Sequence, residues 1–213
     1  MKTKIVIKDS ERLVADLSKA YRAVAKQTTI PILTGFHLQF TGESLTITGS
    51  DTDNTIRITE EDNCSSSQPC AVVVPARIFL DIVRKLPAGE IQLKIGENEI
   101  SITAGKSTIE LKTMKADEYP SFSLDDTGVC VEIQASDLAN GLRLEYACSV
   151  SAMRPTLQGI HIVSKEKAVT FVATDSHRLG SWTVQLDQEL NLPKMILPAT
   201  AAEEMVKLIE DTT

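Results

Sequence analysis

Aromatic side chains are scarce in this sequence: Phe, Tyr and Trp make up 4% of 213 residues, with a single Trp. A chain that grips single-stranded nucleic acid by stacking its bases needs a set of such rings, so that mode is excluded. A surplus of positive charge is also missing. The net charge is −7, whereas proteins that hold nucleic acid by bulk charge are basic. Any DNA-binding role must come from local basic faces on an acidic body. Long apolar runs are absent too. Stretches such as Ala71–Val74 and Ile78–Leu80 fall far short of the roughly 18 residues of a membrane span, so no membrane association is expected. The start, Met1 to Lys8, holds only the short apolar run Ile5–Ile7. A secretory signal needs a longer core, and a cytoplasmic location is expected. The four cysteines, Cys64, Cys70, Cys130 and Cys148, form no C-x-x-C pair and have no His at zinc spacing. They are read as free thiols. With three histidines in all, scattered along the chain, neither a metal nor a cofactor is expected.

What is present is a repeat. Thr29-Ile30-Pro31-Ile32-Leu33-Thr34-Gly35 returns as Met153-Arg154-Pro155-Thr156-Leu157-Gln158-Gly159. Gly35 and Gly159 stand 124 positions apart, as do His37 and His161, and Asp51 and Asp175. Val74-Pro75-Ala76 returns as Leu197-Pro198-Ala199, with its prolines 123 apart. Matched segments in one order, at nearly one offset, mark two copies of a domain, joined near Ser121–Gly128. The first copy, residues 1–122, reads as a doubled unit of strand, helix and three strands. Lys4–Lys8 is a strand and Ser10–Lys26 a helix with Leu13, Leu17, Tyr21 and Val24 on one face. Strands follow at Phe36–Phe40, Ser44–Gly49 and Asn54–Thr59. The pattern restarts with strand Ala71–Val74 and a helix from Pro75 to Lys85. Strands Ile91–Ile95, Glu99–Thr103 and Thr108–Thr113 close it. The fold class is therefore α+β, with helices on one face of antiparallel sheets. The second copy, residues 129–213, predicts a strand over Val129–Ile133 and a helix over Ser136–Ser149 capped by Ser136. Strands Gly159–Val163, Ala168–Thr174, Ser181–Leu186 and Met195–Leu197 precede a helix over Ala199–Ile209. No counterpart of the strands between Ile91 and Thr113 follows. The second copy is thus expected to be short by roughly 35 to 40 residues out of about 120, and the chain to be a fragment of a longer protein.

Two motifs that suggest chemistry fail on inspection. Gly105-Lys106-Ser107-Thr108 lacks the Gly a phosphate loop needs five residues earlier, where Ile100 stands, and leads into an alternating strand pattern. Asp175-Ser176-His177 holds the residue types of a hydrolase triad. Sequence neighbours diverge, however, and no Gly-x-Ser-x-Gly elbow is present. The chain is not read as an enzyme. The helix faces carry more information. Lys19, Arg22 and Lys26 follow i, i+3, i+7 spacing away from the apolar stripe, and Arg77 and Arg84 stand seven apart on the second helix. Such faces suit phosphate contacts. In the second copy the pattern fades, because Arg143 and Lys207 are accompanied by Glu145, Glu203 and Glu204. The turn at Asp175 reads as a capped turn, or as one wall of a ligand or peptide groove with Leu157 and Leu179 as floor and His177 and Arg178 as rim.

At these residues the sequence resembles the bacterial sliding clamps, the beta subunits of DNA polymerase III. The likeness rests on Thr28-Thr29-Ile30-Pro31-Ile32-Leu33-Thr34-Gly35, Leu45-Thr46-Ile47-Thr48-Gly49-Ser50-Asp51 and Val74-Pro75-Ala76-Arg77. It continues through Asp81-Ile82-Val83-Arg84-Lys85-Leu86-Pro87, Ala116-Asp117-Glu118-Tyr119-Pro120, Arg154-Pro155-Thr156-Leu157-Gln158-Gly159 and Ala173-Thr174-Asp175-Ser176-His177-Arg178-Leu179. The resemblance implies the clamp fold, with three such domains per subunit. It implies a homodimer ring around double-stranded DNA, helices inside and sheets outside, which gives the polymerase its processivity without chemistry of its own. Lys19, Arg22, Lys26, Arg77 and Arg84 would face the DNA. Gln27 stands where some relatives carry a basic residue, and Lys26 would replace it. Polymerase and clamp-loader subunits would dock short peptide motifs against Arg154, Leu157, Thr174, Ser176, His177, Arg178 and Leu179. Ile109 and Leu111 would lie on the strand that pairs with the other subunit. A shortened clamp paralogue, acting as an interaction module that does not encircle DNA, is the alternative reading.

Overall fold

The structure, a computed structural model, describes residues 3–121 and 128–211. The expected junction near Ser121–Gly128 lies for the most part outside the described residues. The chain divides into two compact units, Met1–Ser123 and Leu124–Thr213.

In the first unit, β1 (Thr3–Ile7) leads into α1 (Ser10–Tyr21). Asp9 starts this helix, its carboxylate accepting from the backbone N–H groups of Glu11 and Arg12, which satisfies two donors the helix cannot. Then come β2 (Gly35–Thr41), β3 (Ser44–Ser50), β4 (Thr55–Glu60), β5 (Cys64–Ser66) and β6 (Cys70–Pro75). After α2 (Ala76–Lys85) the unit closes with β7 (Ile91–Ile95), β8 (Glu99–Ala104) and β9 (Ser107–Lys112). Two antiparallel sheets result, ordered β5-β1-β7-β8-β9 and β4-β3-β2-β6. Strand positions alternate in and out, as in Ile91, Leu93 and Ile95 of β7. One apolar core joins both sheets to both helices through Ile5, Leu17, Phe36, Phe79 and Ile102.

Two expectations for this unit change. The first helix stops at Tyr21 instead of reaching Lys26. Arg22, Ala23 and Val24 donate to the carbonyls three residues back, and Ala25 donates to Leu33. Ala23, Val24 and Ala25 are all buried, so apolar burial turns the chain inward and ends the helix. Strand β5 was not foreseen. At three residues it has no alternation to read, and pairing with β1 (Ile5 with Ser66, Ile7 with Cys64) makes it a strand.

The second unit contains α3 (Ala135–Leu142), a 3-10 turn over Arg143–Ala147, β10 (Gly159–Lys165), β11 (Ala168–Thr174), β12 (Leu179–Gln185), β13 (Met195–Pro198) and α4 (Ala199–Glu210). Its sheet runs β12-β11-β10-β13, the order of β4-β3-β2-β6 in the first unit. Leu142, Ile160, Phe171 and Ala202 form its core. Three expectations change here. Val129–Ile133 is not a strand, and among the described residues it pairs with none. Its counterpart β1 is held between β5 and β7, and a β7 equivalent would come after α4. The Ser136–Ser149 helix is two pieces, since the coil tightens to 3-10 after Leu142 so that Leu144 and Ala147 reach the core. Ser136 does not cap α3. The residue before the helix is Gln134, and no side chain bonds to its first N–H groups.

Candidate functional site

The basic residues of the first unit lie along its two packed helices. Arg84 of α2 donates from Nη2 to the Ser18 hydroxyl of α1 at 3.0 Å. That bond ties the two helices together at Ser18, the residue before Lys19. Arg77 is exposed about two turns away along α2, and Asp81 stands between it and Arg84 on the same face. The sequence reading passed over Asp81, which lowers the charge of that stripe. Lys19 is half-buried in the last turn of α1 and Arg22 is half-buried just past it. Lys26 is exposed but sits beyond the helix end, so the i, i+3, i+7 row of Lys19, Arg22 and Lys26 does not exist as a helix face. Arg12 of the same helix is held by Glu60. In the second unit the helix cations are matched by acids. Arg143 pairs with Glu210 at 2.9 Å, and Lys207 with Glu203 at 2.9 Å and Glu204 at 2.7 Å.

The turn between β11 and β12 is built around Asp175. Its Oδ1 accepts the backbone N–H groups of His177 and Arg178, both at 2.9 Å, and its Oδ2 takes the Arg178 Nε–H at 2.9 Å. The two backbone donors, with the Arg178 guanidinium, hold the Asp175 carboxyl below its ordinary value. With its carboxylate committed in this way, Asp175 does not orient the His177 imidazole, and the three residue types form no triad. Thr174 closes the turn from the other side, donating its hydroxyl to the Arg178 carbonyl at 2.7 Å and accepting the Ser176 N–H at 3.1 Å. Arg154 reaches across from the loop before β10 and donates from Nη1 to the Ser176 hydroxyl at 2.6 Å. Leu179 is 68% exposed at the start of β12, and Leu157 is half-buried in the loop that carries Arg154. The structure therefore brings Arg154, Thr174, Ser176 and Arg178 into direct contact or one turn. Sequence reasoning missed Tyr146. Its ring lies 5.7 Å from the Arg178 guanidinium carbon, a cation–π distance, and 59% of the residue is exposed.

The third set lies on β9, at the end of its sheet. Ile109 and Leu111 stand opposite the buried Ile102 and Ile100, so both side chains face the helix side. Leu111 packs against the unit's own core. Ile109 instead lines a groove of about 320 Å³ with Ile78, Ile82 and Leu86 of the α2 region. Ile78 is 52% exposed. It was legible as an apolar residue off the buried stripe of α2.

The remaining candidates are structural. Gly105 adopts φ 57° in the turn from β8 to β9, so Gly105-Lys106 is a strand-to-strand turn. All four cysteines are free thiols. Burial raises the thiols of Cys64, Cys70 and Cys148, which makes them poor nucleophiles. His37 of β2 stacks on Tyr119 with ring centroids 5.0 Å apart, and burial pushes the Tyr119 phenol up to about 12.

Comparison with known proteins places this geometry. The family model for the DNA polymerase III beta subunit, N-terminal domain, matches residues 3–124, and that for the central domain matches residues 132–213. The beta sliding clamp of Staphylococcus aureus (strain Mu50 / ATCC 700699) is 31% identical over 206 residues, covering 93% of this chain and 55% of the relative. The solved sliding clamp of Bacillus subtilis superimposes with a TM-score of 0.93 at 30% identity, covering 98% of this chain and 57% of its own. A sliding clamp from Bartonella birtlesii, solved bound to griselimycin, is similar at 27% identity and a TM-score of 0.88, with 99% of this chain and 57% of that one covered. The chain thus spans about half the length of the curated relatives it matches. With two consecutive domain matches running from residue 3 to residue 213, the chain belongs to the DNA polymerase III beta subunit family.

Proposed function

We propose that this chain supplies the first domain and most of the second of a sliding clamp, a non-catalytic processivity factor that encircles duplex DNA and tethers the replicative polymerase in the cytoplasm. The observation that carries this reading is the pair of consecutive clamp-family domain matches, with Lys19 on α1 and Arg77 and Arg84 on α2 as the basic residues of the first domain's helices. Arg84 there bonds the Ser18 hydroxyl across the two helices, and Lys19 is the next residue along α1. Contacts of this kind neutralise phosphates without reading bases, which is what a ring that slides requires. The turn at Asp175, with Leu157 and Leu179 exposed or half-exposed beside it, is the half-site for partner peptides. A clamp relative that binds griselimycin supports a ligand-binding role for such a fold, and the natural protein carrying this chain is expected to bind that compound. The edge of β9 with Ile78 and Ile109 is the surface for the second subunit.

Loading the natural protein onto a nicked circular plasmid and then cutting the circle tests the reading. Retention on the circle and rapid loss after linearisation are expected. Equal loss from both forms would instead favour the non-encircling interaction module.

A further inference from the structure

The first unit ends on a segment that crosses the β4-β3-β2-β6 sheet, on the face opposite Phe36 and Leu38 of the main core. After β9, Met114 exchanges both backbone bonds with Val73 of β6. Its N–H donates to the Val73 carbonyl at 2.8 Å, and its carbonyl accepts the Val73 N–H at 3.2 Å. A single 3-10 turn follows over Ala116–Glu118. The N–H groups of Glu118 and Tyr119 donate within this segment, to the Lys115 and Ala116 carbonyls. Residues 115–120 thus form a strap, fastened through the Tyr119 side chain. Tyr119 is buried among Leu33, Val73 and Met114. Its ring stacks on His37 of β2, with centroids 5.0 Å apart and 11° between the planes.

His37 is half-buried and stands in one row with Thr48 of β3 and Arg57 of β4. Row and strap line a cavity of about 410 Å³. Its charged side chains are Arg57, exposed on β4, and Asp117, exposed on the strap. The lining residues from β2, β3 and β6 other than His37 are Gln39, Thr48 and Ala71, none of them titratable. The Tyr119 phenol, pushed up to about 12, stays neutral. A proton on His37 is opposed first by burial and then by the Arg57 guanidinium. Asp117 favours that proton, but from an exposed position where water and salt screen the attraction.

We propose that the Tyr119–His37 stack is a proton-sensitive latch, which holds the strap, and with it the chain's exit from the first unit, against the sheet. With His37 neutral, the two rings pack and the strap stays closed. When His37 takes a proton from solvent, the closed form keeps an imidazolium half-buried and near a second cation. Lifting Tyr119 hydrates the imidazolium and relieves that cost. Met114 is the hinge, because its backbone remains bonded to Val73 on both sides. Release adds residues 115–120 to the free connection between the two units.

Hydrogen–deuterium exchange of the natural protein at pH 7.5 and pH 5.5 tests the latch. Rates are corrected for the intrinsic pH dependence of exchange and divided by those of β7 (Ile91–Ile95) as an internal reference. The amides of residues 115–119 are expected to open about fivefold more often at pH 5.5, within the roughly tenfold that one proton on an imidazole of ordinary value can supply there. His37→Gln keeps a planar polar group without the titration, and the ratio is expected to fall to about one. Arg57→Gln, at an exposed position, is expected to reduce the ratio to about threefold by removing the opposing charge. Equal strap opening at both pH values in the wild type would overturn the latch. So would a pH dependence that survives in His37→Gln or is undiminished in Arg57→Gln. Exchange of β7 rising in step with the strap would also overturn it, because the whole unit would then be opening.

Discussion

Asp175 shows how much one side chain can decide and how little of that can be read in advance. A capped turn at Asp175 was legible, because Asp before short polar residues bonds the backbone two and three residues on. The placement of Arg178 was not. It folds back over Tyr146, which belongs to a different element 32 residues earlier, and no local pattern encodes that encounter. His37 carries a second residue-scale consequence. Burial, and then the neighbouring Arg57, lower its imidazole from the ordinary value of 6.5. The folded state therefore resists a proton that the unfolded chain accepts. Stability is fully present above pH 6.5 and declines as pH falls from there toward the lowered folded value. The expected outcome is that His37→Gln makes the loss of first-unit stability between pH 7.5 and pH 5.5 shallower than in the wild type, measured by urea unfolding at both pH values.

Elements are positioned by contacts that leave no room. A Cβ on Gly141 of α3 would stand 2.6 Å from the Phe171 ring of β11, so the helix lies against the sheet through a missing side chain. Gly141→Ala should overpack that contact and destabilise the second unit by about 1–3 kcal/mol, despite alanine's better helix propensity, and thermal unfolding would register it as a lower Tm. A Cβ on Gly49 would similarly meet the Ala20 carbonyl at 2.3 Å, which fixes α1 over β3. On β9 the two residues proposed for the subunit interface separate. Leu111 packs into its own unit's core, while Ile78 on the neighbouring helix is exposed. Leu111→Asp is expected to cost about 2 kcal/mol or more of first-unit stability. Ile78→Asp should leave unfolding within about 0.5 kcal/mol of wild type but shift the natural protein toward monomer in sedimentation velocity. The amphipathic stripes of α1 and α2 were legible because burial imposes a period of 3.6. The end of α1 was not, because Ala23–Ala25 are drawn inward by contacts outside the helix.

For the whole molecule, the charge distribution matters more than the net charge of −7. Acids pair off helix cations of the second unit, and Glu60 takes Arg12 in the first, so the proposed DNA contact rests on Lys19 of α1 and Arg84 of α2. Reversing Lys19 and Arg84 together to Glu is expected to weaken duplex binding by the natural protein and to reduce the slope of log affinity against log salt by about 2. Fluorescence anisotropy across a salt series checks this, and an unchanged slope would exclude both residues from the DNA contact. The duplication and most of the order of helices and strands were in the sequence itself, though β5 and the unpaired segment at 129–133 were not. Local periodicity, proline and glycine positions and the 124-residue offset are properties of the chain before it folds. Which arginine an acid holds, as Asp175 holds Arg178 and Glu60 holds Arg12, and where α1 ends were decided by the tertiary structure alone. Those outcomes depend on side chains from separate elements meeting within about 3 Å, a distance that sequence separation does not encode.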